Sequence, residues 1–468
     1  VTHDSNRRVD DRAERPRAVL VGVQLPGVSD AEHDSSLGEL ERLATTLGLR
    51  PIARVTQKRG SLAPAAVLGE GKLRELARYT GGTGEVPKPG KGGKKRDEEE
   101  DEAEEESDED EESLDEESDA LPKSERATLV LVDHELSPSQ ARNLEKATGV
   151  EVLDRTSVIL AIFQRHARTR EARLQVEIAR LNYDAPRLRE SGGGGDRQRG
   201  GIGGKGAGES ALELDRRRIR DRIAELRREL ESISHDDAVR RARRIERGDT
   251  VALVGYTNAG KSSWFRRLTA GDVYVADELF ATLDTTVRAL QPETRPRLLV
   301  SDTVGFIKKL PHDLVASFRS TLDEAREASL LLHVVDASDA AWRAQLAVTR
   351  EVLDELGAGD RPSLVLLNKR DRIDEETRAA LAVEMPDALL VSAKDDASVA
   401  EVRAAIVAFF ERSMVDADLF VPWARHAVVS SVHESARVLS EEHEEDGTRL
   451  RVRAPEPVLA RIRAQLGA

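Results

Sequence analysis

Apolar residues fall along this chain in two rhythms. Short, largely apolar runs at 18–23, 52–56, 128–133 and 150–153, and again at 251–254, 298–300, 364–367 and 388–391, end in glycine, proline or polar residues, which predicts strands buried on both faces. Between the first four lie segments with helical spacing: at 36–47, after Gly69-Glu70-Gly71-Lys72, and from Ser137, where serine caps the helix and Pro138 stands in its first turn. Strand and helix in alternation predict a small parallel sheet covered by helices.

The second rhythm fills the middle of the chain. From 156 to 183, Phe163, Ala167, Leu174, Ile178 and Leu181 keep largely to one helical face, while Arg165, Arg168, Arg170, Arg173 and Arg180 supply charge. A further run, Leu212, Ile219, Ile223, Leu226, Leu230 and Ile233, steps by seven, four, three, four and three, which is heptad spacing. Residues 191–208 join the two; 10 of these 18 residues are glycine, and the charges among them are Asp196, Arg197, Arg199 and Lys205. The expectation is an antiparallel helical hairpin with a flexible, net basic tip. Such a tip builds no core, so an outside partner is expected to order it. Glycine permits close backbone approach and the basic side chains suit phosphates, which points to nucleic acid; an inert linker is the plainer alternative. Near the C-terminus, 427–432 and 448–453 read as strands about an acidic turn, with a helix from about Pro457.

The predicted fold class is therefore α/β, in parts. A tail at 1–16 precedes a small parallel α/β domain at 17–155 that carries a Gly/Lys-rich and acidic insertion at 81–120. The hairpin arm occupies 156–248 with its glycine-rich loop at 191–208, a doubly wound phosphate-loop domain 249–414, and a small α+β domain 415–468. The length of 468 residues agrees with about three domains. The formal charge of −15 is misleading as a bulk value: residues 97–119 hold 18 Asp or Glu in 23 positions, and without them 72 basic residues face 69 acidic. That block has no apolar face and repels itself, so it is expected to stay unfolded, either as a mimic of polyanion or as a solvated insertion. No cysteine is present, which excludes disulfides and thiolate metal sites. The chain has no run near the ~20 apolar residues of a membrane span, and its first residues are too polar for a signal peptide. A monomer in the cytoplasm, in part at the membrane, is the expectation.

Chemistry concentrates after the run at 251–254. Gly255-Tyr256-Thr257-Asn258-Ala259-Gly260-Lys261-Ser262 has the spacing of a phosphate loop between strand and helix. Glycines at both ends let backbone N–H groups turn onto phosphates, Lys261 reaches the outer oxygens, and the Ser262 hydroxyl suits Mg²⁺. Asp302-Thr303-Val304-Gly305 follows the run at 298–300. Asp302 is expected to hold Mg²⁺ through water and the Gly305 N–H to sense a γ-phosphate. Between them Phe280-Ala281-Thr282 offers Thr282 as the threonine that completes the metal shell when a triphosphate is present. Asn368-Lys369-Arg370-Asp371 and Ser392-Ala393-Lys394, each after an apolar run, are base-reading loops. The Asp371 carboxylate suits the N1–H and amine of guanine, Asn368 props the loop, Lys369 lies along the base, and the Ala393 N–H faces O6. Each match alone is weak, but five in order point to a GTP/GDP site. The position after Gly305, often a water-orienting glutamine, is Phe306. A phenyl ring cannot orient water, so slow intrinsic turnover is expected, with K⁺ at Asn258 as a possible activator. The catalytic set is Lys261, Thr282, Gly305 and Asn258.

Longer strings add a resemblance. Residues 136–144 (LSPSQARNL), 154–156 (DRT), 159–163 (ILAIF), 165–171 (RHARTRE), 175–177 (QVE) and 212–217 (LELDRR) fall where the HflX family of ribosome-associated GTPases has near-identical strings. The resemblance implies that family's N-terminal α/β domain and coiled-coil arm joined to a G domain. It also implies a partner, the large ribosomal subunit and its rRNA, and a role in splitting or surveying stalled or idle ribosomes under stress, with turnover stimulated by the ribosome. The chain departs from the family pattern at Gly208-Glu209-Ser210-Ala211 and in its acidic insertion, as a diverged paralogue would. A GTP-controlled switch for a protein effector without RNA contact is the alternative, and an ATP-driven RNA remodeller with a second nucleotide site in the N-terminal domain is a third reading.

Overall fold

The computed structural model describes residues 15–86, 121–191, 207–245, 249–271, 279–280, 282–283, 285–308 and 319–467. The acidic block and most of the glycine-rich loop lie outside the described residues. The chain divides into two compact units, residues 1–161 with 186–197, and 162–185 with 198–468.

In the first unit, β1 (Arg17–Gln24), β2 (Arg50–Lys58), β3 (Leu129–Val132) and β4 (Glu151–Asp154) form a parallel sheet in the order β2-β1-β3-β4. Helices α1 (Asp30–Thr46), α2 (Glu70–Thr80) and α3 (Pro138–Thr148) connect the strands. Capping chemistry sets their ends. Ser29 with Glu32, and Ser137 with Gln140, form reciprocal capping boxes, while Gly81 and Gly149 close α2 and α3 in the left-handed conformation. Val19, Val21, Val55, Leu73, Leu76, Val130, Val132 and Leu144 share one core. Arg155, which opens α4 (Arg155–His166), is buried; it donates through Nη1 to Asp133 at 2.6 Å and through Nη2 to Glu39, and the Ser36 hydroxyl donates to Asp133 at 2.6 Å. Charges this deeply buried persist because they satisfy one another.

The expected single helix over 156–183 is two, α4 and α5 (Arg170–Ser191). The break follows from capping that the apolar spacing does not register: Thr169 Oγ1 accepts from the Ala172 N–H at 3.2 Å, and Arg173 Nε donates to the Ala167 carbonyl at 3.2 Å. Helix α6 (Ala207–Ile245) pairs with α5 through Leu174, Ile178, Ile223 and Leu226. Its antiparallel sense is fixed by Arg170 with Glu229 at 2.6 Å and Glu177 with Arg222 at 3.0 Å.

Strands β5 (Thr250–Val254), β6 (Thr286–Ala289), β7 (Leu299–Asp302), β8 (Leu330–Asp336), β9 (Ser363–Asn368) and β10 (Leu389–Leu390) form the main sheet in the order β10-β9-β8-β5-β7-β6. All neighbours are parallel except the edge strand β6 on β7. The order reverses around β5, so the cleft at the carboxyl end of β5 is where a doubly wound sheet places its ligand. One face carries Trp264, Phe265 and Leu268 of α7 (Lys261–Thr269), the other Phe306, Ala325 and Leu353.

The last part holds β11 (Met414–Pro422), β12 (Arg437–His443) and β13 (Gly447–Pro455), antiparallel in the order β11-β13-β12, with the helix Glu456–Leu466. The expected strand at 427–432 is instead the helix Ala427–Ser435. Val429, Val432 and Ala436 are spaced three and four apart and pack on Leu419, Val421, Leu450 and Val452, so tertiary burial overrides the strand preference of the valines.

Candidate functional site

The loop between β5 and α7 adopts a conformation that its glycines permit. Gly255 and Gly260 have φ of 147° and 104°, and a Cβ on them would lie 2.2 Å from the Val334 carbonyl oxygen and 2.3 Å from Asn368 Nδ2. Gly260 leads directly into α7, so the helix N-terminus and the loop amides face one cleft. The cleft has a volume of about 600 Å³. Thr257, Asn258, Gly260, Lys261, Ser262, Phe280, Thr282, Thr303 and Gly305 line one part of it, and Asn368, Lys369, Asp371, Ser392, Ala393 and Lys394 another. Of the other residues expected at the site, Gly255, Tyr256, Ala259, Asp302 and Val304 are buried; Ala281 lies outside the described residues.

Lys261 is buried and folds back, donating through Nζ to the carbonyls of Gly255 at 3.0 Å and Tyr256 at 2.8 Å. Burial brings its ammonium down to about 8, and nearby Asp302 partly opposes that shift. An oxyanion in the cleft would favour the charged form. Asp302, at the end of β7, is also buried, and burial raises its carboxyl above the usual range. Asp302 Oδ2 accepts from Ser262 Oγ at 2.7 Å and Thr282 Oγ1 at 3.0 Å, and the two hydroxyl oxygens are 2.7 Å apart. Two hydroxyl protons cannot serve all three contacts if the carboxylate is ionised, and Asp302 Oδ1 is buried with no hydrogen-bond partner. Hard oxygens gathered in this way fit a small divalent cation such as Mg²⁺. No group of three or more His, Cys, Asp or Glu suited to a metal occurs among the described residues, so such an ion would draw its remaining ligands from water or phosphate.

Elsewhere in the cleft, Asn368 ties the loops together. Its Nδ2 donates to the Ala259 carbonyl at 2.8 Å, and its Oδ1 accepts from the Ala393 N–H at 3.2 Å. Asp371 accepts from Ser392 Oγ at 2.7 Å and Lys394 Nζ at 2.9 Å; these bonds, the serine's first, hold its carboxyl below the usual range. It is thus a fixed, ionised acceptor pair. Lys369 sits at φ 65° and donates to Asp336 at 2.5 Å. Sequence reading missed Asp336, although a carboxylate closing the apolar strand β8 was a visible signal. It also missed Ser263, Arg266, Arg267 and Arg372, which line the cleft. Phe306 lies in the core, its N–H donating to the Gly255 carbonyl at 3.1 Å, and so offers nothing to a water in the cleft.

Behind the loop, His333 on β8 is buried, and its Nδ1 has no hydrogen-bond partner. Burial brings its pKa down to about 4, helped by Arg350. A histidine whose folded value is depressed adds stability that is complete above about 6.5 and lost as pH falls toward about 4. We expect urea melts to place about 3 kcal/mol of acid-sensitive stability on this residue, and His333→Gln to remove that part of the difference between pH 7 and 4.

A strand, a glycine-bounded loop on a helix N-terminus, and Asn-Lys-x-Asp and Ser-Ala-Lys loops on the same cleft make this the nucleotide domain of a P-loop GTPase. Family models described as GTP-binding GTPase N-terminal, GTP-binding GTPase Middle Region and 50S ribosome-binding GTPase match residues 34–85 with 112–164, 166–244 and 250–369. The GTPase HflX of Gluconacetobacter diazotrophicus is 56% identical over 97% of this chain and 98% of its own length. That of Escherichia coli is 36% identical over 94% of this chain and 93% of its own length. A crystal structure of a GTP-binding protein from Sulfolobus solfataricus in complex with GDP covers 84% of this chain and 98% of its own, at 22% identity and a TM-score of 0.42, too distant to carry weight. The chain belongs to the HflX family of GTPases.

Proposed function

We propose that the protein binds and slowly hydrolyses GTP in this cleft, and that the bound triphosphate governs its association with the large ribosomal subunit. The observation that carries the GTP reading is the presence, in one cleft, of a fixed carboxylate for a base and a lysine-and-hydroxyl cluster for phosphates. Asp371 takes the two donors of guanine, with Lys369 along the ring; the Ala393 N–H, expected to face O6, is given to Asn368 Oδ1 instead. The amides of residues 255–262 and the Lys261 ammonium hold the phosphates. Ser262 and Thr282, with Asp302 acting through water, would hold Mg²⁺, whose charge would offset that developing on the leaving oxygens. The Gly305 N–H reads the γ-phosphate. With Phe306 where a water-orienting side chain could stand, positive charge must come from elsewhere. Asn258, at φ 59° on the cleft, is the residue we propose holds K⁺. Turnover is therefore expected to be several-fold faster in K⁺ than in Na⁺, and equal rates in the two salts would contradict that role.

The ribosomal reading is supported by the 50S description of the matching family model and by the α5–α6 hairpin. No helix among the described residues is long and apolar enough to cross a membrane. Co-sedimentation with 50S subunits tests the ribosomal reading: retention with a non-hydrolysable GTP analogue and release with GDP is expected. Absence of retention with either nucleotide would favour a protein effector instead.

A further inference from the structure

One aromatic contact joins distant parts of the second unit. Phe280 is buried at φ 57°, a backbone region that aromatic residues seldom occupy, two residues before Thr282. Its ring meets that of Phe163 edge-on, with centroids 4.6 Å apart and planes at 81°. Its carbonyl lies 2.9 Å from His166 Nδ1; a carbonyl can only accept, so Nδ1 carries the proton. Phe163 and His166 are one turn apart in the last turns of α4, hence on one face, and Gln164 beside them accepts from Arg180 of α5 at 2.6 Å. Leu279 and Leu283, on either side, are buried as well. Two residues past Phe280, the Thr282 hydroxyl meets Ser262 and Asp302, while Phe163 and His166 precede the nucleotide domain by more than eighty residues.

We propose that Phe163 and His166 are positioning residues that fix Phe280 so that Thr282 stands ready as a ligand, and that they thereby set the preference of this protein for the triphosphate over the diphosphate. The inference rests on the proposed part of Thr282 in binding Mg²⁺ with GTP. GDP does not need that threonine, so only the triphosphate complex draws on the clamp. The pair would act on the difference between two affinities and not on nucleotide binding as such.

The test compares full-length Phe163→Ala, His166→Ala and His166→Asn for binding of fluorescent GDP and of a fluorescent non-hydrolysable GTP analogue, each titrated with Mg²⁺. Asparagine places an N–H donor where Nδ1 stood. Both alanine variants are expected to weaken the analogue about ten-fold and raise its half-saturating Mg²⁺, while GDP stays within about two-fold. His166→Asn is expected to restore most of the loss. Equal loss of both nucleotides, or no loss of either, would overturn the proposal, and retained GDP binding certifies that a variant is folded. If Phe163→Ala does not fold, the two His166 variants decide alone. An unmodified chain that binds neither nucleotide would instead remove the GTPase reading underneath.

Discussion

Replacing Asp371 by asparagine is expected to shift the preference of the protein from GTP to xanthosine triphosphate. The carboxylate is held by Ser392 and Lys394, so its acceptor oxygens are oriented before any base arrives. Guanine supplies N1–H and an exocyclic amine, two donors to an ionised acceptor, together worth about 3 kcal/mol or more. The side chain is 35% exposed, so we take the lower end and expect GTP affinity to fall at least about a hundredfold. Xanthine carries a carbonyl where guanine has its amine. An asparagine amide can donate to it, so the variant should gain for the xanthine nucleotide while it loses for GTP. Competition titrations read both changes; unchanged GTP selectivity would mean that Asp371 does not read the base.

The second large effect is expected from Lys261→Ala. A buried ammonium between loop carbonyls, with its pKa brought down to about 8, is a costly group for the empty protein to hold. Its removal should leave the melting temperature without nucleotide nearly unchanged. The Gly255 carbonyl keeps the Phe306 N–H as a donor. Phosphate binding should suffer strongly, because a charge-assisted contact in a desolvated site is lost: triphosphate affinity is expected to fall about a hundredfold or more, and single-turnover hydrolysis about a thousandfold. The stabilisation that GTP gives in a thermal melt should vanish with it. Hydrolysis that survives in this variant would locate the activity elsewhere in the chain.

The parts of this site that were readable in advance are those whose chemistry is local. A loop bounded by Gly255 and Gly260 and followed by Lys261 and Ser262 carries its own backbone geometry, and Asn368 through Asp371 need only the strand before them. What was not readable depends on distant partners. Asp336 matters because β8 sets it beside Lys369. The edge strand β6 exists because β7 offers it an antiparallel partner. The valines at 428, 429 and 432 suggested a strand, yet a three-stranded sheet beneath them made a helix the better way to bury them. The apolar spacing over 156–183 gave no notice of the Thr169 cap, and nothing local in Phe163 or His166 points to a carbonyl at position 280.

Calorimetry of the full chain with GTP and with ATP, each with Mg²⁺, bears most directly on the central claim. A single site that takes GTP at least about a hundredfold more tightly than ATP, and that binds GTP more weakly when Mg²⁺ is chelated, is the expected result. Equal heats for the two nucleotides, or none for GTP at saturating concentration, would contradict it.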